Sequence, residues 1–143
     1  MSAIVHFLNK RPSEMGYNIT LLIARIGFGG MMLPHGWPKL TNYAERSSTF
    51  ADPLGIGSEL SLISAVFAEV FCAVLLILGL GSRLVLIPLM FTMFVAGVIH
   101  HADDPFSSRE KALLYLVAYF LLFITGPGKY SLDSLLWGKR KKA

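Results

Sequence analysis

The chain has 143 residues, of which 54% are hydrophobic and 15% are charged, and its formal net charge is +4. Soluble domains carry about 25% charged residues, and the mean hydropathy here is +0.58, so the composition excludes an ordinary soluble domain and indicates one membrane domain. Cys72 is the only cysteine, which excludes an intramolecular disulfide or a Cys-x-x-Cys redox pair. The basic residues stand beside apolar runs, which is typical of a topology signal; no nucleic-acid partner is expected.

Residues 1–16 are predicted to form a cytoplasmic lead-in that lies at the membrane interface. A short apolar patch, Ile4-Val5 and Phe7-Leu8, comes before Lys10 and Arg11. A cleaved signal peptide has the opposite order, with its basic residues first. The lead-in is therefore expected to stay attached.

The first span is predicted at about residues 17–34, and it contains one arginine, Arg25. The chain is expected to leave the apolar region through Pro34-His35-Gly36-Trp37-Pro38-Lys39. Residues 35–58 are too polar to cross a bilayer and are read as a loop. An arginine inside the hydrocarbon layer needs a partner, because an unpaired charge there is costly.

The second and third spans, about residues 60–80 and 84–100, are predicted to form an antiparallel hairpin. They are joined by Gly79-Leu80-Gly81-Ser82-Arg83, which is typical of a tight turn. A fourth span is predicted at about 109–125. Ser107-x-x-Glu110 has the form of a capping box at its start, and Gly126-Pro127-Gly128 should end it.

The distribution of basic residues predicts that both termini are cytoplasmic. Eight basic residues fall on the side of the termini and four on the other; the eight are Lys10, Arg11, Arg83, Lys129, Lys139, Arg140, Lys141 and Lys142. The positive-inside rule places the richer side in the cytoplasm. The fold class is thus an all-α membrane protein, a four-helix antiparallel bundle over residues 17–128, with a basic cytoplasmic tail at 129–143.

Arg25 and Glu69, in the first and second spans, are predicted to form an ion pair. Counted along antiparallel helices, they differ in depth by only about 5 Å. Small residues flank both, with Gly29 four residues after Arg25 and Ala65 and Ala73 on either side of Glu69, which favours close contact of the helices. The pair either locks the bundle or forms a polar site inside it, since intramembrane charges often line a substrate or proton path.

Histidines and tyrosines supply further candidate site residues. His35 and His100 end the first and third spans on the same side, so they could converge at the outer mouth of the bundle. Tyr115 and Tyr119 share one helix face and are packing residues or hydrogen-bond donors to a ligand carbonyl. No metal site is predicted, because adjacent His100 and His101 point in different directions on a helix and no carboxylate completes a set.

Taken together, these motifs resemble the DoxX family of small bacterial inner-membrane proteins. The motifs are Arg25, Pro34-His35-Gly36, Glu69, Gly79-Leu80-Gly81-Ser82-Arg83, His100, Ile124-Thr125-Gly126-Pro127-Gly128 and Ser131-Leu132-Asp133. The resemblance implies a four-helix membrane domain and an association with redox systems. Relatives resemble a subunit of a quinone-linked thiosulfate-oxidising complex, and others accompany superoxide-detoxifying and thiol-handling proteins.

The leading hypothesis is a subunit of a membrane redox system that handles a quinone or a similar lipophilic redox partner. Arg25 would bind a ring carbonyl, Glu69 would hold that arginine and relay a proton, and His35 and His100 would pass protons at the mouth. No covalent cofactor is implied, so electrons would come from a partner protein. The alternatives are a non-catalytic membrane anchor or assembly factor for redox or stress-response partners, and a small proton-coupled permeation protein working as a homo-oligomer.

Overall fold

The computed structural model describes Val5 and residues 9–138. The patch residues Ile4, Phe7 and Leu8 and the basic residues 139–142 lie outside the described part, so the predictions made for them stay predictions. The described chain is helical and contains no strand. Its helices are α1 (Glu14–Thr41), α2 (Tyr43–Arg46), α3 (Ser58–Leu78), α4 (Ser82–His100), α5 (Phe106–Thr125) and α6 (Leu132–Trp137).

The predicted all-α class is confirmed, and three of these helices, α1, α3 and α4, are long and apolar enough to cross a membrane. Helix α5 has 20 residues. It begins with a charged segment, Arg109-Glu110-Lys111, which dilutes its apolar character. Its remaining residues, 112–125, are almost all apolar.

Helix α1 is longer than predicted, and the loop predicted to begin at residue 35 is wrong, because residues 35–41 are helical. The Ser13 hydroxyl accepts a hydrogen bond from the Gly16 amide at 3.1 Å and caps the start of the helix. The helix then continues through Pro34 and Pro38 to Thr41. Proline removes one backbone donor, but helices that pack against neighbours in a membrane tolerate it. At 28 residues, α1 is roughly 42 Å long.

Helices α3 and α4 form the predicted hairpin. Gly79 and Gly81 adopt left-handed backbone angles, with φ of 69° and 60°, which glycine allows without strain. The carboxylate of Asp133 accepts hydrogen bonds from the amides of Gly81, at 2.7 Å, and Ser82, at 2.8 Å. A carboxylate at this position satisfies the free amides at the start of α4. The C-terminal segment is thereby fixed to the hairpin turn.

The predicted capping box at the start of α5 is wrong. Pro105 occupies the N-cap position, no side chain caps the helix, and Ser107 lies inside the first turn. Proline can start a helix without losing a bond, since the first amides have no helical partner. The helix ends at Thr125, just before Gly126, as the sequence predicts.

Close packing of α1 against α3 is confirmed, and it depends on glycine. A side chain added at Gly29 would meet Ile77 and the Ala73 carbonyl, and one added at Gly36 would meet Val70 and Glu69. The buried core around this contact comprises Leu21, Met32, Cys72, Leu76, Leu86, Leu89, Tyr119 and Leu122. Many large apolar side chains point outward, including Ile23, Phe71, Leu84, Ile87 and Leu114, as expected for a surface that contacts lipid.

Candidate functional site

Arg25 does not pair with Glu69, so the central sequence prediction is wrong. Arg25 is 1% exposed. Its Nη1 donates to the carbonyl oxygens of Leu76 and Ile77, at 3.4 Å each, and its Nη2 donates to the carbonyl oxygen of Tyr130. Carbonyls in the last turn of a helix have no helical partner. The guanidinium therefore closes the end of α3 and joins it to the segment after α5.

The register of the two helices explains the error. Gly36 lies against Glu69, whereas Arg25 lies beside Gly79. Gly79 is ten residues beyond Glu69 in the sequence, which corresponds to about 15 Å along a helix. The prediction ended the first span at Pro34 and so placed Arg25 near the depth of Glu69. In the structure, Arg25 lies at the other end of α3, beside Gly79.

The partner of Glu69 is Lys39. The Lys39 Nζ forms an ion pair with Glu69 Oε2 and also donates to the His35 carbonyl oxygen at 3.2 Å. The Glu69 side chain is 6% exposed and that of Lys39 is 20% exposed. Lys39 was counted as a loop residue in the sequence analysis, yet it lies in the last turn of α1, from which its long side chain reaches into the bundle.

The ion pair lines a cavity of about 330 Å³ at this end of the bundle. The walls are mostly apolar and come chiefly from the loop after α2, helix α3 and helix α4, with Lys39 added by α1 and His101 by the turn after α4. Polar groups are few, and they include Ser61 and Ser64 of α3 and Thr92 of α4. Apolar walls with a small number of polar groups are typical of small-molecule sites of this size.

Two π-helical segments border the cavity. Residues Phe67–Cys72 of α3 are π-helical and carry Glu69, and residues Val95–His100 of α4 are π-helical and end at His100. Glu69, Val95, Ala96 and His100 all line the cavity. Short π segments within α-helices occur frequently at functional sites. Here the departure from regular helix coincides with the cavity wall in both helices.

His100 and His101 both line the cavity, so the prediction that they point in different directions is wrong. Their ring centroids are 4.5 Å apart. Their directions differ from those in a regular helix because α4 ends at His100. His101 has turn angles, with φ of −100° and ψ of 27°. The His101 Nδ1 lies 2.6 Å from Asp104 Oδ2. For this reason the sequence does not predict His101 and Asp104 as site residues.

His35, Tyr115 and Tyr119 form a separate cluster. His35 and Tyr115 meet edge to face with centroids 6.0 Å apart, and Tyr115 and Tyr119 are 5.7 Å apart. The buried Tyr119 hydroxyl donates to the Phe28 carbonyl oxygen at 3.3 Å. None of the three lines the cavity. His35 therefore does not share the cavity that His100 lines. Their predicted convergence at one mouth, and any role of the cluster with a ligand, stay predictions.

The loop of residues 47–57 covers the cavity, and Phe50, Pro53, Leu54 and Ile56 contribute to its wall. Asp52 holds this loop. Its carboxylate accepts hydrogen bonds from the amides of Gly57, at 2.7 Å, and Ile56, at 3.0 Å, and from the Ser61 hydroxyl at 2.8 Å. These bonds favour the charged form, the Gly57 amide most strongly, and they lower the pKa of Asp52 below its ordinary value.

In the part of the chain that the structure describes, no group of three or more histidine, cysteine, aspartate or glutamate residues is arranged to hold a metal ion. The polar groups of the cavity are one ion pair, two histidines and several hydroxyl groups. These groups can bind oxygen atoms of a ligand and exchange protons with it.

Comparison with known proteins gives the chain a family. The DoxX family model matches residues 20–102. The inner membrane protein YphA of Escherichia coli K12 is 30% identical over 127 residues, which cover 80% of this chain and 89% of YphA. The inner membrane protein YqjF of the same organism is 28% identical over 127 residues, covering 83% of this chain and 93% of YqjF. No solved structure matches.

The sequence resemblance and the predicted location are both confirmed by these findings. The relatives are inner membrane proteins, and this chain has three helices able to cross a membrane within its described residues, so it is a multi-pass inner-membrane protein. The match covers α1, α3 and α4 almost completely, and with them both sides of the cavity. The chain belongs to the DoxX family.

Proposed function

We propose that the cavity beside Glu69 binds the head group of a membrane quinone, or of a similar lipophilic redox partner, and that the protein serves as a subunit of a membrane redox system. The observation that carries this proposal is a largely buried ion pair, Lys39 with Glu69, in the wall of a mostly apolar cavity of about 330 Å³. A buried ion pair is weak evidence for stabilisation alone, whereas charged groups inside a membrane bundle commonly mark a substrate or proton path.

The polar groups suit a ring that carries carbonyl oxygens. An ammonium group has three N–H donors, and Lys39 uses two of them, on Glu69 and on the His35 carbonyl. The third can donate to a ligand oxygen in the cavity. Apolar side chains such as Phe91, Val95 and Leu54 provide surfaces for the ring and its tail.

The chemistry divides between this chain and a partner. Reduction of a quinone adds two electrons and two protons. Glu69, His100 and His101 are the cavity groups able to pass protons. The electrons would be supplied by a redox partner protein, since the described chain offers proton-exchanging groups and its only cysteine, Cys72, is buried.

The proposal includes a four-span topology with both termini in the cytoplasm. Several bonds support it by placing the start of α1 and the segment after α5 at the same end of the bundle. Asn18 Oδ1 accepts from the Lys129 amide at 2.7 Å, and Arg25 bonds to Tyr130. An even number of crossings returns the chain to the side where it began, and the positive-inside rule assigns that side.

The test is to extract the lipids from purified protein and to measure quinone per chain by chromatography. We expect quinone close to one per chain. Ala96→Phe should lower it severalfold, because Ala96 lines the cavity and a phenyl ring there would fill it. Val98→Phe is the matched control, since Val98 lies in the same π segment but is 38% exposed on the outside. Quinone should be retained in that variant.

Two results would contradict the proposal. One is native protein without quinone that also fails to bind an added short-tailed quinone. The other is equal quinone content in the Ala96→Phe and Val98→Phe variants, which would place the lipid outside the cavity. Native protein that lacks quinone and co-purifies with a stable partner would favour the anchor hypothesis instead.

A further inference from the structure

His101, one of the proton-exchanging groups of the proposed function, forms a pair with Asp104 at the rim of the cavity. The His101 Nδ1 lies 2.6 Å from Asp104 Oδ2, and the two side chains are 32% and 50% exposed. His101 lines the cavity, and its imidazole is also open to solvent. It can therefore contact a ligand on one side and exchange protons with water on the other.

The Asp104 carboxylate fixes which ring nitrogen of His101 is left free to bond with a ligand. An ionised carboxylate only accepts hydrogen bonds, so Nδ1 must carry its proton to bond with Asp104. The other nitrogen, Nε2, is then the atom that changes with pH. It is an acceptor when the ring is neutral and a donor when the ring is protonated.

We propose that His101, held by Asp104, determines whether the cavity prefers a quinone or the corresponding quinol. This inference rests on the proposed function of the cavity. A quinone presents carbonyl oxygens, which only accept hydrogen bonds, and so favours the protonated imidazole. A quinol presents hydroxyl groups that can donate, and so favours the neutral imidazole. Quinone affinity therefore rises, and quinol affinity falls, as the pH decreases through the range in which His101 takes up its proton.

The test must distinguish the effect of His101 from the effects of other titratable or charged groups nearby. His100 stands beside it, and Lys39 and Glu69 line the same cavity. The covering loop contributes apolar side chains to the wall, such as Phe50 and Leu54. On the far side of the turn, Arg109 donates to the Ala102 carbonyl oxygen at 3.1 Å.

The experiment measures binding of a decyl-tailed benzoquinone and of its quinol to the full chain in nanodiscs, from pH 5 to pH 8. One coupled proton changes affinity by at most about tenfold per pH unit. We expect quinone affinity in native protein to rise roughly three- to tenfold between pH 8 and pH 5, the range in which histidine titrates. Quinol affinity should change in the opposite sense.

His101→Gln should bind both forms with little pH dependence, because glutamine does not titrate. Asp104→Asn should weaken the pH dependence, since an amide can either accept from Nδ1 or donate to it and so no longer fixes the tautomer. Asp103→Asn is the matched control: it removes the same charge one residue away, from a side chain that does not hold His101, and should behave as native. Size-exclusion profiles check that each variant stays folded.

The outcomes separate the two proposals. If native protein binds quinone but His101→Gln keeps the full pH dependence, the assignment to His101 is overturned, while the cavity remains a quinone site. The same variant set with His100→Gln would then identify the titrating group. If native protein binds neither form at any pH, the proposed function itself is overturned.

Discussion

Lys39 and Glu69 form an ion pair between the last turn of α1 and the π segment of α3. Removing one partner leaves a buried charge without compensation, which costs about 3–5 kcal/mol in fully buried pairs. Lys39 keeps a fifth of its side chain exposed, so we expect Lys39→Met to destabilise the bundle by roughly 2–3 kcal/mol. Unfolding in detergent, followed by circular dichroism, measures the loss.

The double variant Lys39→Met with Glu69→Leu serves as its control. Replacing a buried ion pair by apolar side chains is often neutral, so stability should return most of the way to native. A double variant as unstable as Lys39→Met alone would show that the loss does not come from the unpaired carboxylate.

Arg25→Met should destabilise the protein strongly, and no substitution at Glu69 should rescue it. The variant leaves the carbonyls of Leu76, Ile77 and Tyr130 without their shared donor. Bonds to charged groups contribute about 1.5–3 kcal/mol each, so a loss of roughly 3 kcal/mol or more is expected. The same unfolding assay applies to the single variant and to its combination with Glu69→Leu.

Arg83→Met provides a matched comparison for Arg25. Arg83 also donates to two backbone carbonyls, those of Phe123 at 3.2 Å and Ile124 at 3.4 Å, but it is exposed. Water can replace an exposed donor, so the loss should be about 1 kcal/mol or less. Equal losses at the two arginines would contradict the role assigned to the buried one.

Gly36→Ala should force α1 away from α3. A methyl group at this position would lie 2.8 Å from Glu69 Cβ and 2.9 Å from the Glu69 carbonyl carbon, and a backbone atom cannot simply rotate aside. Overpacking of this kind costs about 1–3 kcal/mol. Gly27→Ala is the control, because nothing lies within 4 Å of its added methyl; alanine should there stabilise the helix by about 0.5–1 kcal/mol. Thermal unfolding of the two variants should move in opposite directions.

The loop over the cavity should loosen in acid. The pKa of Asp52 is lowered chiefly by the Gly57 amide, so the folded loop binds the charged carboxylate better than the unfolded loop does. Its stabilisation is complete above the ordinary aspartate pKa of about 4 and is lost as the pH falls through the lowered value of the folded state. Hydrogen exchange of the amides of Ile56 and Gly57, read by mass spectrometry across this range, measures the change.

Asp52→Asn should show fast exchange in this loop at neutral pH and little further change in acid. Glu45→Gln removes a nearby exposed carboxylate on α2 that takes no part in holding the loop, and it should retain the native pH profile. Protection that persists in Asp52→Asn would assign the loop order to the apolar contacts of Phe50 and Leu54 instead.

The hydropathy of the chain predicts its helices well, because burial in lipid imposes long apolar segments with polar ends. The hairpin turn follows equally from Gly79 and Gly81. The end of α1 cannot be predicted from the sequence in this way, because proline usually ends helices in water and two prolines, Pro34 and Pro38, lie near it. The structure shows the periodicity that was needed: the buried residues Asn18, Leu21, Arg25, Gly29, Met32 and Gly36 recur every three or four positions, and the next such position is Lys39.

The partners of Arg25 could not have been predicted from side chains, because they are backbone carbonyls of residues 51, 52 and 105 positions away. Glu69 is the opposite charge that the sequence offers at a similar depth, but it pairs with Lys39. Likewise, the directions of His100 and His101 were inferred for a regular α-helix. The π segment and the turn after it change those directions, and apolar residues such as Val95 to Ile99 give no indication of it.

Each π segment holds its wider turn through one additional residue in an otherwise regular helix. Deleting one residue from Phe67–Cys72 would return this turn to regular α-helix with the two flanking halves still in register, and only the residues inside the turn, Glu69 among them, would change direction relative to the cavity. Single-codon insertions and deletions could thus change the wall of this cavity during evolution while the rest of the fold persists. Members of a family with one fold could in this way differ in whether they hold a ligand at all.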